Sequence, residues 1–366
     1  MHKILIVAGD GIGPEIMDAT MRVMEWFRRK RQFDFVVEEG LLGGCAYEKQ
    51  GRPDPEETIA KALSADAVLL GAVGGPQWDS MPFELKPERG LLRIRKSMEV
   101  FANLRPAICF EALANASSLK PEIVSNLDIL IVRELMGGVY FGTPKEITPL
   151  PGGGKRAVDT QVYTTEEITR VAHVAFRLAG RRNRRLTSVE KSNVMMTGVL
   201  WRSVVTELHR AHYQDIALNH MLADSCAMQL VRNPHQFDVI LTDNLFGDVL
   251  SDEAAQLTGS IGMLPSASLG AEIGGRARGL YEPIHGSAPD IAGKDMANPI
   301  ASILSFGMAL RYSFDRADDA DLMNQAVAAS LGEGYRTADI MQPKMTQIGT
   351  GQMAAVILRS LDRLID

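Results

Sequence analysis

The segment Lys3–Ala8 is a short, almost wholly apolar run that stops at Gly9, and from Pro14 to about Arg31 apolar residues recur at helical spacing. This predicts a strand, a turn and a helix in succession. Further runs of strand character at Phe33–Val37, Ala67–Leu70, Leu127–Val132 and Val239–Thr242 alternate with helical stretches at Pro55–Leu63, Thr165–Leu178, Val199–Ala211 and Leu245–Leu257. Such alternation predicts an α/β fold with a largely parallel sheet, since a crossover between parallel strands needs a helix-length connection. Glycine and proline clusters at Gly71–Pro76, Pro149–Gly154 and Gly270–Gly279 read as loops. None is a long flexible hinge, so the expected organisation is two lobes sharing secondary structure. The run Pro151–Lys155 lacks the spacing and trailing hydroxyl residue of a phosphate loop and reads as a surface turn.

Composition narrows the function classes. With 46% hydrophobic and 23% charged residues in 366, this is an ordinary folded chain with room for a sizeable core. Its formal net charge of -6 opposes binding to nucleic acid or anionic membrane and favours a small-molecule partner. The one dense basic run, Arg181, Arg182, Arg184 and Arg185, follows an amphipathic stretch and reads as a solvated face at the negative end of a helix dipole. No stretch approaches the ~20 apolar residues of a membrane span, and the first residues lack a secretory pattern, so a cytoplasmic location is expected. Cys45, Cys109 and Cys226, odd in number and far apart, read as small buried apolar residues rather than a disulfide framework or zinc site.

Several polar constellations stand out against this background. Gly9-Asp10-Gly11-Ile12-Gly13-Pro14-Glu15 sits where a dinucleotide fingerprint would sit, but no glycine stands at position 14 or 16, and Pro14 suits the start of a helix. Asp248 and Asp252 are four apart on a predicted helix, so both carboxylates project from one face. A solvated acidic face explains such a pair; so does a cation between them. This helix follows strand Val239–Thr242 through Asp243-Asn244, the strand end where open α/β sheets place ligands, and hard oxygen donors suit Mg²⁺ or Mn²⁺. Arg95, Arg105 and Arg133 come from three segments; each is explained by a structural ion pair or by a carboxylate clamp. Glu282–Ile291 is a turn-rich loop bearing imidazole, hydroxyl and carboxylate groups, and Asn298-Pro299 fits a helix cap and first turn. Tyr140 and Lys191 are unexceptional in isolation.

As a set, seven ordered stretches resemble the β-decarboxylating dehydrogenases, the family of isocitrate, isopropylmalate, homoisocitrate and tartrate dehydrogenases. They are GDGIGPE from Gly9, LLGAVGGPQWD from Leu69, GLLRIRK from Gly90, FANLRP from Phe101, VRELMGGVYFG from Val132, TDNLFGDVLSDEAA from Thr242 and GLYEPIHGSAPDIAGKDMANPIA from Gly279. The resemblance implies a non-Rossmann fold with a large mixed sheet shared by two lobes, 1–100 plus 259–366 holding the cofactor and 101–258 carrying substrate, metal and dimer contacts. It also implies a homodimer whose active sites take residues from both subunits.

The implied reaction oxidises the C2 alcohol of a substituted malate with NAD and then releases the β-carboxylate as CO2. By resemblance Tyr140 is the acid, Lys191 assists deprotonation, and Asp224, Asp248 and Asp252 hold Mg²⁺ or Mn²⁺, with Lys191, Asp224 and Val194 coming from the partner. Asp224 also meets the substrate, and Arg95, Arg105 and Arg133 hold its carboxylates. The cofactor is implied to lie on Glu282, His285, Gly286, Ser287, Ala288, Pro289, Asp290 and Ile291, near Asn298, with Gly75 and Glu88 on the other side. Asp290 argues for NAD, since an acidic group accepts from ribose hydroxyls but repels a 2′-phosphate. Leu91 and Leu92, with Val194, offer apolar walls where isocitrate enzymes carry polar residues, which favours an isopropyl substituent. Glu190 and Ser192 depart from the Asp and Ala that many relatives carry around this lysine. A tartrate or D-malate dehydrogenase and a non-catalytic regulatory subunit are the competing readings.

Overall fold

A computed structural model of the chain describes residues 1–274 and 276–366. Its first stretch runs β1 (His2–Gly9), α1 (Gly13–Arg31), β2 (Phe35–Glu39), α2 (Gly44–Gln50), α3 (Glu56–Ser64), β3 (Ala67–Ala72) and α4 (Pro87–Ser97). Then come β4 (Ala102–Ile108), α5 (Pro121–Val124), β5 (Asp128–Glu134), β6 (Glu146–Pro149), β7 (Lys155–Val158), α6 (Thr165–Gly180), β8 (Arg185–Glu190) and α7 (Met196–His212). Next are β9 (Ala217–Leu222), α8 (Ala223–Arg232), β10 (Val239–Thr242) and α9 (Asn244–Leu257). The last stretch is β11 (Pro265–Ile273), β12 (Arg276–Pro283), α10 (Ile300–Tyr312), α11 (Ala317–Gly332), β13 (Tyr335–Arg336), β14 (Thr346–Gln347) and α12 (Thr350–Ile365). The expected alternation of strands and helices is present, and among the described residues ten strands belong to one mixed sheet. No helix among the described residues is long and apolar enough to cross a membrane.

Two compact units emerge. One comprises Met1–Val100, Ile108–Asn126 and Ala255–Asp366; the other comprises Phe101–Ala107 and Leu127–Ala254. In this division residues 108–126 and 255–258 fall in the first unit, where the expected lobes put them in the second. The Arg336 guanidinium, 1% exposed, donates to the Ala112 carbonyl at 2.8 Å and so anchors the 108–126 segment there.

In the first unit the strands lie in the order β2-β1-β3-β12-β11, all parallel except the β11/β12 pair. Helix α10, IASILSFGMALRY, is buried on every face through Leu310, as its all-round apolar sequence requires. It packs on α1, where Thr20 bonds Ser302 at 2.8 Å and Phe27 meets Phe306 edge-on. Gly270–Gly279, expected to be a loop, is largely the paired arms of the β11/β12 hairpin, with a register shift between Leu269 and Glu272. Its glycines and alanines carry too little side chain to show a strand's alternation.

The second unit orders its strands β4-β5-β10-β8-β9, with β5, β10, β8 and β9 parallel. Helix α6 opens with a capping box, Thr164 with Glu167, and buries Ile168, Val171, Ala175 and Phe176. Arg182, just past its end, is no solvated charge: its Nε donates to the buried Asp238 at 2.8 Å and a terminal nitrogen reaches Asp128 at 2.9 Å. The small hairpin β6/β7 turns at Gly152–Gly154, the surface turn expected at Pro151–Lys155.

Candidate active site

Strand β5 ends in Arg133 and Glu134, β10 ends in Thr242, and α9 starts two residues later. Parallel neighbours end at the same level, so Arg133, which pairs in register with Thr242, meets the first turns of α9. The approach is close: a Cβ on Gly247 would lie 2.6 Å from Arg133 Cγ, and only glycine lets the arginine stem pass the helix. Arg133 then reaches Asp248, the next residue along the helix, with a terminal nitrogen. Tyr140 donates its hydroxyl to Asp248 Oδ2 at 2.8 Å, and the Arg133 guanidinium sits 5.5 Å over the Tyr140 ring.

Arg105 joins the group from β4. Its Nη1 donates to Ser251 at 2.7 Å and lies 3.2 Å from Asp248 and 3.5 Å from Asp252, while its Nε donates to Asn103 at 2.7 Å. The structure thus brings Arg105, Arg133, Tyr140, Asp248 and Asp252 together in one unit. Two buried guanidinium groups face two partly exposed carboxylates, which lets the carboxylates stay close without mutual repulsion expelling one. Burial and then the Asp248 carboxylate hold the Tyr140 hydroxyl above the ordinary phenol range, so it is protonated at neutral pH and can act as a proton donor. Burial likewise raises Asp252, with Asp248 adding to the effect and Arg105 opposing it.

Lys191 and Asp224 form a separate pair. Lys191, just after β8, donates to Asp224 at the start of α8 at 2.6 Å, and that bond holds the exposed Asp224 carboxyl below its usual range. Among the described residues no three His, Cys, Asp or Glu side chains are grouped to hold a metal, so Asp224 does not join Asp248 and Asp252 within one chain. Asp248 and Asp252 on their own are hard oxygen donors on one helix face, the chemistry a divalent ion of the Mg²⁺ class takes. Val194 is 72% exposed and Met196 80%, an apolar pair that nothing among the described residues covers.

The first unit carries the remaining candidates. Arg95, on α4, is bonded to Glu282 at 2.6 Å, so a residue expected at the substrate and one expected at the cofactor are partners. Leu91 and Leu92 are half-buried on the same helix, and Leu92 lines a groove of about 260 Å³ with Gly75, Trp78, Phe83 and Glu88. The buried Asp10 carboxylate accepts from the N–H groups of Gly44, Cys45 and Gly74 at 2.7–2.9 Å and so ties the turn after β1 to the segments that begin α2 and follow β3.

The glycines near Asp10 serve chain packing rather than a pyrophosphate. A Cβ on Gly11 would lie 2.0 Å from the Ser287 carbonyl, and Ile12 N–H donates to that same carbonyl at 2.8 Å. The turn after β1 therefore seats the 285–291 loop, and Ala288 and Ile291 pack against Ile12 and Ile16. In that loop His285 Nε2 is buried without a partner, burial keeps the imidazole neutral, and Gly286, Pro289 and Asp290 are exposed. An orphaned imidazole nitrogen in a loop that also carries an exposed carboxylate fits a ligand rich in hydroxyls. Asn298 is committed elsewhere, capping Ile300 N–H at 3.0 Å and donating to Asp339 at 3.0 Å; α10 thus starts at Ile300, one residue beyond the expected Pro299.

Four polar residues of the second unit escaped the sequence reading. Asn103 and Ser251 bond Arg105, Asn244 bonds Arg133, and the fully buried Glu134 accepts from Met136 and Gly137 N–H at 2.9 and 2.7 Å. A signal for Asn103 exists: it stands two residues before Arg105 on a strand, hence on the same face.

The model of the isocitrate/isopropylmalate dehydrogenase family matches residues 3–357. The 3-isopropylmalate dehydrogenase of Rhodospirillum rubrum is 63% identical over 99% of this chain and 98% of its own length. That of Nitrobacter winogradskyi is 60% identical over 99% of both. Among solved structures, isocitrate dehydrogenase from Methylococcus capsulatus superposes with a TM-score of 0.86 at 32% identity, covering 99% of each chain. A β-decarboxylating dehydrogenase from Thermococcus kodakarensis gives 0.78 at 33% identity, over 100% of this chain and 97% of its own.

Proposed function

The chain belongs to the isocitrate/isopropylmalate dehydrogenase family, and from that premise we propose that it oxidises and decarboxylates 3-isopropylmalate to 2-oxo-4-methylpentanoate and CO2, a step of leucine biosynthesis, in the cytoplasm. The observation that carries the chemistry is the cluster in which Tyr140 and Arg133 share the Asp248 carboxylate. The choice among substrates rests on Leu91 and Leu92. A third carboxylate desolvated against two leucines costs several kcal/mol, whereas an isopropyl group gains from the contact.

In this reading Arg105 and Arg133, with Arg95, hold the two malate carboxylates and orient the departing one. Lys191 takes the proton of the C2 hydroxyl. The bond from C3 to the β-carboxylate breaks, its electron pair stays on C3, and Tyr140 delivers the proton there. Bound NAD supplies the hydride acceptor, and Mg²⁺ or Mn²⁺ on Asp248, Asp252 and Asp224 supplies a Lewis acid for the hydroxyl oxygen. The cofactor's adenosine rests on 285–291 near Asn298, with Asp290 favouring NAD, and Gly75, Glu88 and Glu282 complete its surroundings. Asp224, Lys191 and Val194 serve the site of a second subunit of a homodimer, a reading supported by the absence of Asp224 from the Asp248–Asp252 pair within one chain.

Formation of NADH or NADPH by the purified protein with Mg²⁺ or Mn²⁺, offered 3-isopropylmalate, isocitrate or D-malate, tests this. Preference for 3-isopropylmalate with NAD is expected. Preference for D-malate would keep the chemistry and overturn the leucine argument; no turnover of any of them would leave a regulatory subunit as the better account.

A further inference from the structure

A guanidinium selects carboxylates because its fork is planar, and it does so well only when the plane is fixed. At Arg133 the plane is fixed by Asn244. Its Oδ1 accepts from Arg133 Nε at 3.0 Å and Nη2 at 2.7 Å, while its Nδ2 donates to the carbonyls of Leu135 at 3.2 Å and Gly137 at 3.0 Å. The residue is 1% exposed, and two acceptor and two donor sites exhaust what a side-chain amide can offer. The carbonyls belong to the turn that leads from β5 into Tyr140, and Glu134 holds the same turn through the N–H groups of Met136 and Gly137.

Helix capping does not account for the amide. Asn244 opens α9, yet the free N–H of Phe246 is taken by Asp243 at 2.8 Å, and the Asn244 N–H goes to the Tyr163 hydroxyl at 2.9 Å. The side chain is left to hold the arginine and the tyrosine's turn. Only asparagine suits both tasks at this length: aspartate keeps the acceptor for Arg133 but faces two carbonyls with an oxygen, and alanine loses both ends.

We propose that Asn244 is a positioning residue that sets Arg133 and the Tyr140 turn as one unit; the proposal rests on the reading of Arg133 as carboxylate clamp and Tyr140 as proton donor. Asn244→Ala, which loses both ends, is expected to lower kcat/KM for 3-isopropylmalate about 10- to 100-fold, by raising KM and lowering kcat together. Asn244→Asp, nearly isosteric, is expected to lower kcat more than it raises KM, because the arginine keeps its partner and the turn does not. In a double-mutant cycle the rise in KM caused by Asn244→Ala should largely vanish on an Arg133→Lys background, since lysine has no fork to orient, while the fall in kcat from the loosened turn remains. Crystal structures of the wild type and Asn244→Ala should show the Arg133 guanidinium displaced in the variant. Wild-type turnover with unchanged constants in both variants would overturn the proposal alone. A wild type that turns over no substrate would overturn the functional reading, and an Arg133 unmoved in the Asn244→Ala crystal would then overturn this one too.

Discussion

The Tyr140 hydroxyl donates a hydrogen bond to Asp248 Oδ2 at 2.8 Å while Asp248 Oδ1 is held by Arg133. A single carboxylate thus fixes the orientation of the proton donor and of the carboxylate clamp, and its own rotation is blocked from both sides. In the proposed reaction the same carboxylate takes a cation, so Asp248 stands at the junction of binding, charge stabilisation and proton delivery.

Asp248→Asn is therefore expected to lower kcat by about two orders of magnitude or more and to raise the Mg²⁺ concentration needed for half-maximal rate. The helix face is partly exposed and the amide is isosteric, so the circular dichroism spectrum should match the wild type. Wild-type rate with wild-type metal dependence would remove Asp248 from the metal site.

If Lys191 and Asp224 serve a second subunit's site, two inactive proteins should rescue each other. Tyr140→Phe and Lys191→Ala homodimers, dissociated, mixed and reassociated, put both defects into one site of each mixed dimer and leave the other intact. Recovery to about a quarter of wild-type activity is expected from random pairing of the two chains. A mixture as inactive as its parents would place Lys191 in the site of its own chain.

Gly247→Ala tests the close approach of α9 to Arg133. The new methyl would lie 2.6 Å from Arg133 Cγ and 2.8 Å from its Cβ, and neither can yield without moving β5 or the guanidinium. A cost of about 1–3 kcal/mol in unfolding free energy is expected, together with a rise in KM for the dicarboxylate. Unchanged stability in urea titration would show that the helix gives way instead.

Asp243, buried at the start of α9, has its carboxyl pushed up to about 6, chiefly by burial, with the bond from Phe246 N–H opposing the shift. The folded state therefore holds this proton more tightly than the unfolded state does. The contribution to stability is fully present below pH 4 and is lost as pH rises through about 6, at most about 3 kcal/mol. Asparagine in its place keeps the acceptor for Phe246 without the charge. Asp243→Asn should accordingly gain melting temperature relative to wild type as pH rises from 4 to 7; a difference independent of pH would show that the carboxyl titrates normally.

Much of this architecture was legible because the signals are dense: β1, α1, β5 and α9 fall where apolar period and helix-start residues put them. The carboxylates of Asp248 and Asp252 share a face because helices have 3.6 residues per turn. The β11/β12 hairpin was not legible, since glycine and alanine blur a strand's alternation. Nor was the pairing of Arg182 with Asp238, 56 positions away, because ion pairs between distant segments leave no local pattern. Asn244 was hidden for a related reason. An asparagine next to a helix start already has a sufficient local explanation, and only the positions of Arg133 and the 135–137 carbonyls reveal another use.

The seating of Ser287 on Gly11 joins two points of the chain that are synthesised far apart in time. Strand β1 and helix α1 leave the ribosome well before the α10 helix and the 285–291 loop that cover them. The second unit is nearly continuous in sequence and has all its strands and helices once Ala254 has been made. During translation the middle of the chain can therefore complete its core first, while the apolar face of α1 stays uncovered until the C-terminal helices arrive. A nascent chain stalled once α9 has cleared the ribosome, but before α10 has, should be protected from protease across β5–α9 and cleaved readily within α1.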